Sequence, residues 1–156
     1  MRIENATPAA VYAVAARMRE HDRLELSAVL PFDHVPDIAL HLANAYGERD
    51  DVKVVWSGDD AVAVVGALMT RPNSLALLMF ATPEVSKIGL PLTRWLRREW
   101  LPRMAGAGVH RVEAASILGY PDMHRWLRSL GLKREALMKR FGKRGESFLL
   151  YAWCKP

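Results

Sequence analysis

Hydrophobic and polar positions change period several times along this chain, and each change marks an element. Arg2-Ile3-Glu4-Asn5 alternates as an edge strand does. Thr7 and Pro8 then supply an N-cap and a first helical residue, and Val11, Val14, Ala15 and Met18 trace the buried stripe of a helix. Pro31-Phe32-Asp33-His34-Val35-Pro36 interrupts that pattern. A second helix follows from Pro36 to Tyr46, with Ile38, Leu42 and Tyr46 on one face. Val52 to Trp56 and Ala61 to Met69 read as strands joined by the turn Ser57-Gly58-Asp59-Asp60. Gly66 inside the second strand predicts a bulge or a close backbone approach.

The chain is organised around the stretch from Leu75 to Gly131. Leu75 to Ala81 is a short unbroken apolar run after the turn residues Arg71-Pro72-Asn73-Ser74, which predicts a strand buried on both faces. The connection Thr82 to Pro91 leads into an amphipathic helix. Leu92, Trp95, Leu96 and Trp100 repeat there at helical spacing, with Arg94, Arg97 and Arg98 mostly on the other face. The free N–H groups and dipole at the start of such a helix favour an anion, and Pro91 suits its first turn. Gly106-Ala107-Gly108 breaks the chain, Val109 to Ile117 reads as another strand, and Tyr120-Pro121-Asp122 opens a helix carrying Met123, Trp126, Leu127 and Leu130 before Gly131 ends it. Strand, loop, helix and strand in that order form a parallel crossover. Arg134 to Phe141 and Glu146 to Trp153 make a last hairpin with Gly142-Lys143-Arg144-Gly145 at its tip.

This order of elements resembles the GNAT superfamily of acetyl-CoA-dependent N-acyltransferases. The most specific piece is Trp126-Leu127-Arg128-Ser129-Leu130-Gly131-Leu132 running into Lys133-Arg134-Glu135. The resemblance covers most of the chain. It implies an α/β (α+β) fold, a single GNAT-like domain over residues 1–156 built on a central mixed, mostly antiparallel sheet with a splayed parallel strand pair and flanking helices. It also implies acetyl-CoA as cofactor and an amine as acceptor. Phe80, Ala81 and Thr82 would give backbone groups to the pantetheine arm where Leu75 to Ala81 splays from Val109 to Ala115. Ser86, Lys87, Ile88, Gly89 and Leu90 would form the loop under the phosphates.

Four positions depart from the family's usual pattern. Its loop usually carries Gln or Arg, then Gly three residues on, then Gly or Ala two further. With Gly89 as the first glycine, Ser86 and Pro91 occupy the outer positions, and Pro91 has no N–H to offer a phosphate. Many members place a tyrosine four residues before the helix-ending glycine to protonate the departing thiolate. Leu127 stands there, and an aliphatic side chain cannot be the acid. The asparagine often found at the start of that helix falls at Tyr120, which by position becomes the acid candidate, against its reading as an ordinary helix-flanking aromatic. Glu113 and His124 are further candidates for the base or the acid, with side-chain directions that the sequence does not fix. On the acceptor side Glu25 is a candidate to bind an amine or to act as a base through a water. Arg19, Asp22 and Glu25, spaced three apart, equally fit a solvated helix end with local ion pairs.

The segments Met123 to Leu127 and Arg19 to Glu25 are also similar to the small GNAT-like proteins of short-tailed phages, some of which are internal virion proteins. That similarity implies a second reading, a non-catalytic GNAT-fold phage protein serving as a virion component or a binder of a host protein.

Composition changes this picture little. The chain is 51% hydrophobic and 25% charged, as soluble globular proteins are. No apolar stretch approaches a membrane span and the first residues lack the apolar core of a signal peptide, so the expected compartment is the cytoplasm of a bacterium or of an infected one, or else a virion. Cys154 is the only cysteine, which leaves no internal disulfide or cysteine metal site and points to a packing role. His34 and His41 are too far apart for an adjacent-turn metal pair, and no metal site is expected.

Charge is uneven. Residues 1–60 hold 6 Lys and Arg against 11 Asp and Glu, while residues 61–156 hold 16 against 6. The basic part favours an anion, coenzyme phosphates or nucleic acid, or is simply a solvated face. Lys139, Arg140, Lys143 and Arg144 concentrate charge at the last hairpin beside Phe141, Phe148, Tyr151 and Trp153. Strand alternation turns most of those rings inward, which argues against a stacking site for nucleic acid. Nucleophile-elbow, NTPase phosphate-loop and zinc-helix motifs are all missing.

Overall fold

The computed structural model describes residues 1–156. Strands β1 (Arg2–Asn5), β2 (Val52–Ser57), β3 (Asp60–Arg71), β4 (Ser74–Ala81), β5 (Arg111–Ile117), β6 (Lys133–Met138) and β7 (Phe148–Cys154) form one sheet in the order β1-β2-β3-β4-β5-β7-β6. β4 and β5 run parallel, whereas β1 with β2, β2 with β3, β5 with β7 and β6 with β7 pair antiparallel. This is the mixed, mostly antiparallel sheet that the GNAT resemblance implies. The chain divides into two compact units, Met1–Gly66 with Leu78–Gly89, and Ala67–Leu77 with Leu90–Pro156.

The first unit carries helices α1 (Pro8–Ala15), α2 (Glu20–Val29) and α3 (Val35–Tyr46). Thr7 caps α1 as expected, its hydroxyl accepting the Ala10 N–H at 3.3 Å. Val11, Val14, Ile38, Leu42, Val52, Val54, Val55 and Phe80 are fully buried and form its core. Three helices precede β2 where two are expected from the pattern. The apolar stripe runs on to Met18, but the helix stops at Ala15 because Arg19 takes an extended conformation and gives its N–H to Ala81 O at 2.8 Å. Glu20 and Asp22 then start α2 with negative charge at its positive end. Gly66 is a close approach, as expected: a Cβ there would sit 3.0 Å from Val52 Cγ2 and 3.1 Å from Asp51 O. The register shift of this hairpin lies elsewhere, between Val55 and Trp56.

In the second unit β5 pairs with β7 at seven positions, Arg111 to Ile117 against Cys154 to Phe148. Its ladder with β4 is only three pairs long, Ser74 to Ala76 against Arg111 to Glu113. Leu75, Leu101, Val109 and Val112 make a buried cluster against which Trp100, Met104 and Trp153 pack. The expected amphipathic helix is broken into α4 (Gly89–Trp95), a π turn (Leu96–Trp100) and α5 (Leu101–Gly106). Leu101 gives its N–H to Leu96 O, five residues back, and Pro102 has no N–H with which to restore the α ladder. Helix α6 (Pro121–Ser129) buries Leu127, and Leu130 and Leu132 are buried just beyond it. Cys154, expected to pack, is exposed at the end of β7.

A prediction follows from the contact of α1 with α3. A Cβ on Gly47 would lie 2.5 Å from both Ala43 O and Pro8 Cα, and both of those atoms are backbone. Gly47→Ala is expected to lower unfolding free energy by about 2 kcal/mol in urea titration, since overpacked backbone must shift. An unchanged midpoint would contradict the packing.

Candidate functional site

The site is built on α2 and on the end of β4 in the first unit. Asp22 sits one turn into α2 with its side chain almost wholly buried, so its carboxylate must be paired or bear a large desolvation cost. It is saturated. Arg19 donates Nε to Oδ2 at 2.8 Å and Nη2 to Oδ1 at 3.1 Å, the Ala81 N–H donates to Oδ2 at 3.0 Å, and His21 Nδ1 lies 3.3 Å from Oδ1. Burial alone would raise the Asp22 pKa, but His21, Arg19 and the Ala81 N–H hold it below the usual carboxylate range.

His21 is buried too, and its second nitrogen faces another carboxylate, with Nε2 3.2 Å from Glu25 Oε2. Burial alone would lower its pKa, yet the two acids outweigh burial and push it up to about 9. At neutral pH it is an imidazolium clamped between two carboxylates. Glu25 lies one turn after His21 with about a fifth of its side chain exposed, so one end of this buried charge row reaches solvent. The arrangement can hold a cation at Glu25 or accept a proton there. His21 itself is already protonated and is no base at pH 7.

The same row fixes the end of β4. Both backbone groups of Ala81 are used, its N–H by Asp22 and its carbonyl by the Arg19 N–H. Thr82 gives its N–H to Val62 O at 2.9 Å, and Phe80, Ala81 and Thr82 are all buried. The loop that follows begins as a 3₁₀ turn, Pro83–Lys87, with Val85 and Ile88 buried beneath it. Ser86 Oγ donates to Pro83 O at 3.2 Å and Lys87 pairs with Glu84. Gly89 faces open space, with nothing within 4 Å of a built Cβ, and Leu90 is exposed.

In the second unit Tyr120 is half-buried at the N-cap of α6. The other polar candidates there have structural work. His124 is buried on Tyr151 and its Nε2 donates to Ile117 O at 3.1 Å, tying α6 to the end of β5. Glu113 is held by Arg111 at 2.7 Å and by Arg71 at 3.4 Å. Leu127 is core, 3% exposed, and the neighbouring Trp126 donates its indole N–H to Thr93 Oγ1 at 2.9 Å.

Of the expected site residues, Glu25 is thus joined to Asp22 through His21, which the sequence reading leaves without a role. Its signal was present in the sequence: a histidine next to one acid and four residues before another.

The cluster makes stability depend on pH. His21 is raised from 6.5 to about 9, so its contribution is complete below about pH 6.5 and is lost as pH climbs through 9. The shift corresponds to about 3 kcal/mol, which is several degrees in Tm for a chain of this size. Wild-type Tm measured by calorimetry is expected to fall between pH 6.5 and 9.5 by that much more than the Tm of His21→Gln. Parallel profiles would contradict the clamp. On the acid side the paired Asp22 loses its contribution as pH falls below the carboxylate range.

No protein-family model matches the chain, and no curated protein matches it in sequence. Solved structures do match in fold. The ribosomal-protein-alanine N-acetyltransferase of Brucella melitensis superposes with a TM-score of 0.70 at 20% identity, covering 99% of this chain and 100% of that one. A GNAT-family acetyltransferase of Bacillus anthracis gives 0.73 at 12% identity over 97% of this chain and 93% of that one. A phosphinothricin acetyltransferase of Sinorhizobium meliloti, solved in complex with acetyl-CoA, gives 0.68 at 15% identity over 98% and 87%. With element order, strand order and these superpositions in agreement, the chain has the GNAT acyltransferase fold.

Proposed function

We propose that this chain is an acetyl-CoA-dependent N-acetyltransferase acting on an amine. The observation that carries the reading is the charge row Arg19, Asp22, His21 and Glu25, which pins Ala81 at the end of β4 and brings one carboxylate to solvent. The three-pair ladder between β4 and β5, against seven pairs between β5 and β7, is what a splayed strand pair calls for.

The residues fit the cofactor in part. Phe80, Ala81 and Thr82 would stand beside its acyl arm, but the backbone pairing expected of them is narrowed, because Asp22 and Arg19 use both backbone groups of Ala81 and Val62 takes the Thr82 N–H. Ser86, Lys87, Ile88, Gly89 and Leu90 would lie along its phosphates. Gly89 leaves open space at the start of α4, and Pro91 withholds one donor from that first turn. Bound acetyl-CoA supplies an activated thioester. Glu25 binds the incoming ammonium and takes its proton through a water. His21 holds Glu25 in place, and because it is protonated below about pH 9 it leaves the base role to the carboxylate. Asp22 and Arg19 hold the Ala81 peptide rigid. Tyr120 is the proposed proton donor to the leaving thiolate, since Leu127 cannot serve.

A second reading, a non-catalytic GNAT-fold phage protein serving in the virion or binding a host protein, is favoured by the burial of Leu127 where many members keep their acid.

Coenzyme A release measured against a panel of primary amines, N-terminal peptides included, separates the two. Turnover with at least one amine is expected. Glu25→Gln should lower kcat/KM by about 100-fold and Tyr120→Phe by about 10-fold, within the range for positioned proton-transfer groups. Absence of turnover with every amine would favour the second reading, and full activity of Glu25→Gln would remove Glu25 from the mechanism.

A further inference from the structure

The second unit contains a cleft of about 670 Å³ that the acetyl-transfer reading does not use. Its walls come from the π turn and the start of α5, from the chain just after α6, and from the edge strand β6 with its neighbour β7. Three cations line it, Arg97, Lys133 and Arg134, and none of them makes an ion pair. The one acidic side chain in the lining, Glu135, is already neutralised by Arg111, which donates Nη2 and Nη1 to it at 2.6 and 3.0 Å.

The remaining lining is apolar and partly aromatic. Trp153 packs on the cluster of Leu75, Val109 and Val112 and also lines the cleft beside Leu101 and Pro102. Gly131, held at φ +94, leaves space beside the indole, since a Cβ there would stand 3.9 Å from Trp153 Cδ1. The π turn immediately before α5 carries Arg97 and ends against Leu101, so the irregular part of the helix is the part that walls the cleft. Such turns recur at functional positions.

Arg97 and Arg134, unpaired in the lining, call for a ligand with more than one negative charge, while Lys133 leaves β6 on the opposite face and adds only to the field. A half-buried indole and apolar wall call for a flat ring, and the volume lies within the range of small-molecule sites. We propose that this cleft binds a nucleoside phosphate, with Arg97 and Arg134 holding the phosphate and Trp153, on the same sheet face as Arg134, carrying the base. The site is distinct from the loop assigned to the coenzyme and shares no residue with it.

The test is equilibrium binding of AMP to the full chain, with inorganic phosphate and a short single-stranded oligonucleotide as the comparison probes. AMP is expected to saturate at about millimolar or lower concentration and to bind at least about tenfold more tightly than inorganic phosphate, which lacks the ring. Arg97→Gln and Arg134→Gln, both at exposed positions, should each weaken AMP by about tenfold while leaving the thermal midpoint unchanged. Excess acetyl-CoA should leave AMP affinity unaltered. Failure to saturate by about 10 mM would overturn the proposal, as would AMP binding that acetyl-CoA abolishes and the two arginine variants do not touch. An oligonucleotide that binds about 100-fold more tightly than AMP would reassign the cleft to a nucleic-acid strand. Each of these readouts stands whether or not the chain proves to be an acetyltransferase.

Discussion

A buried carboxylate with four donors is the constraint on which the first unit depends. Removing any one partner of Asp22 leaves a charge in a dry interior, which costs several kcal/mol, so the surrounding backbone is not free to vary. Arg19 must stand where its guanidinium reaches both oxygens, which stops the first helix at Ala15 and begins a new one at Glu20. The end of β4 must present the Ala81 N–H, and the turn at Thr82 and Pro83 follows from there. The imidazolium that completes the shell of Asp22 also faces Glu25, and so couples the buried row to the carboxylate that reaches solvent.

Much of the fold was legible in the sequence because it is set by local chemistry. The Thr7 cap, the apolar run of β4, the turn at Ser57 to Asp60 and the glycine that closes α6 each need only a few neighbouring residues. The break between α1 and α2 was not legible. The apolar stripe runs past the end of α1 to Met18, and the hydrogen bond that imposes the break is accepted by the Ala81 carbonyl, far along the chain. The π turn had a local signal in Pro102, a helix-interior proline, but a regular stripe of Leu92, Trp95, Leu96 and Trp100 masked it. At the site, Glu25 could be singled out by position, whereas the role of His21 required knowing that both its neighbours turn inward together. Cys154 misled in the opposite direction, since a strand end at a sheet margin remains open to solvent.

The departures from the family pattern have different physical standing. Leu127 is part of the hydrophobic core of the second unit, and a tyrosine there would have to bury its hydroxyl or displace its neighbours. Pro91 is exposed in the first turn of α4, where proline is at home and only a ligand would miss its N–H. The first is a commitment of the fold, whereas the second bears on the ligand alone. The functional question therefore turns on whether the loop around Gly89 still holds a phosphate.

Thermal unfolding with and without excess acetyl-CoA answers that question directly. A ligand at about 100 times its dissociation constant stabilises the native state by about 2.7 kcal/mol, several degrees for a chain of this size. A clear upward shift that saturates with ligand concentration is expected if acetyl-CoA occupies the loop. An unmoved midpoint at millimolar acetyl-CoA would contradict it and leave a GNAT fold put to another use.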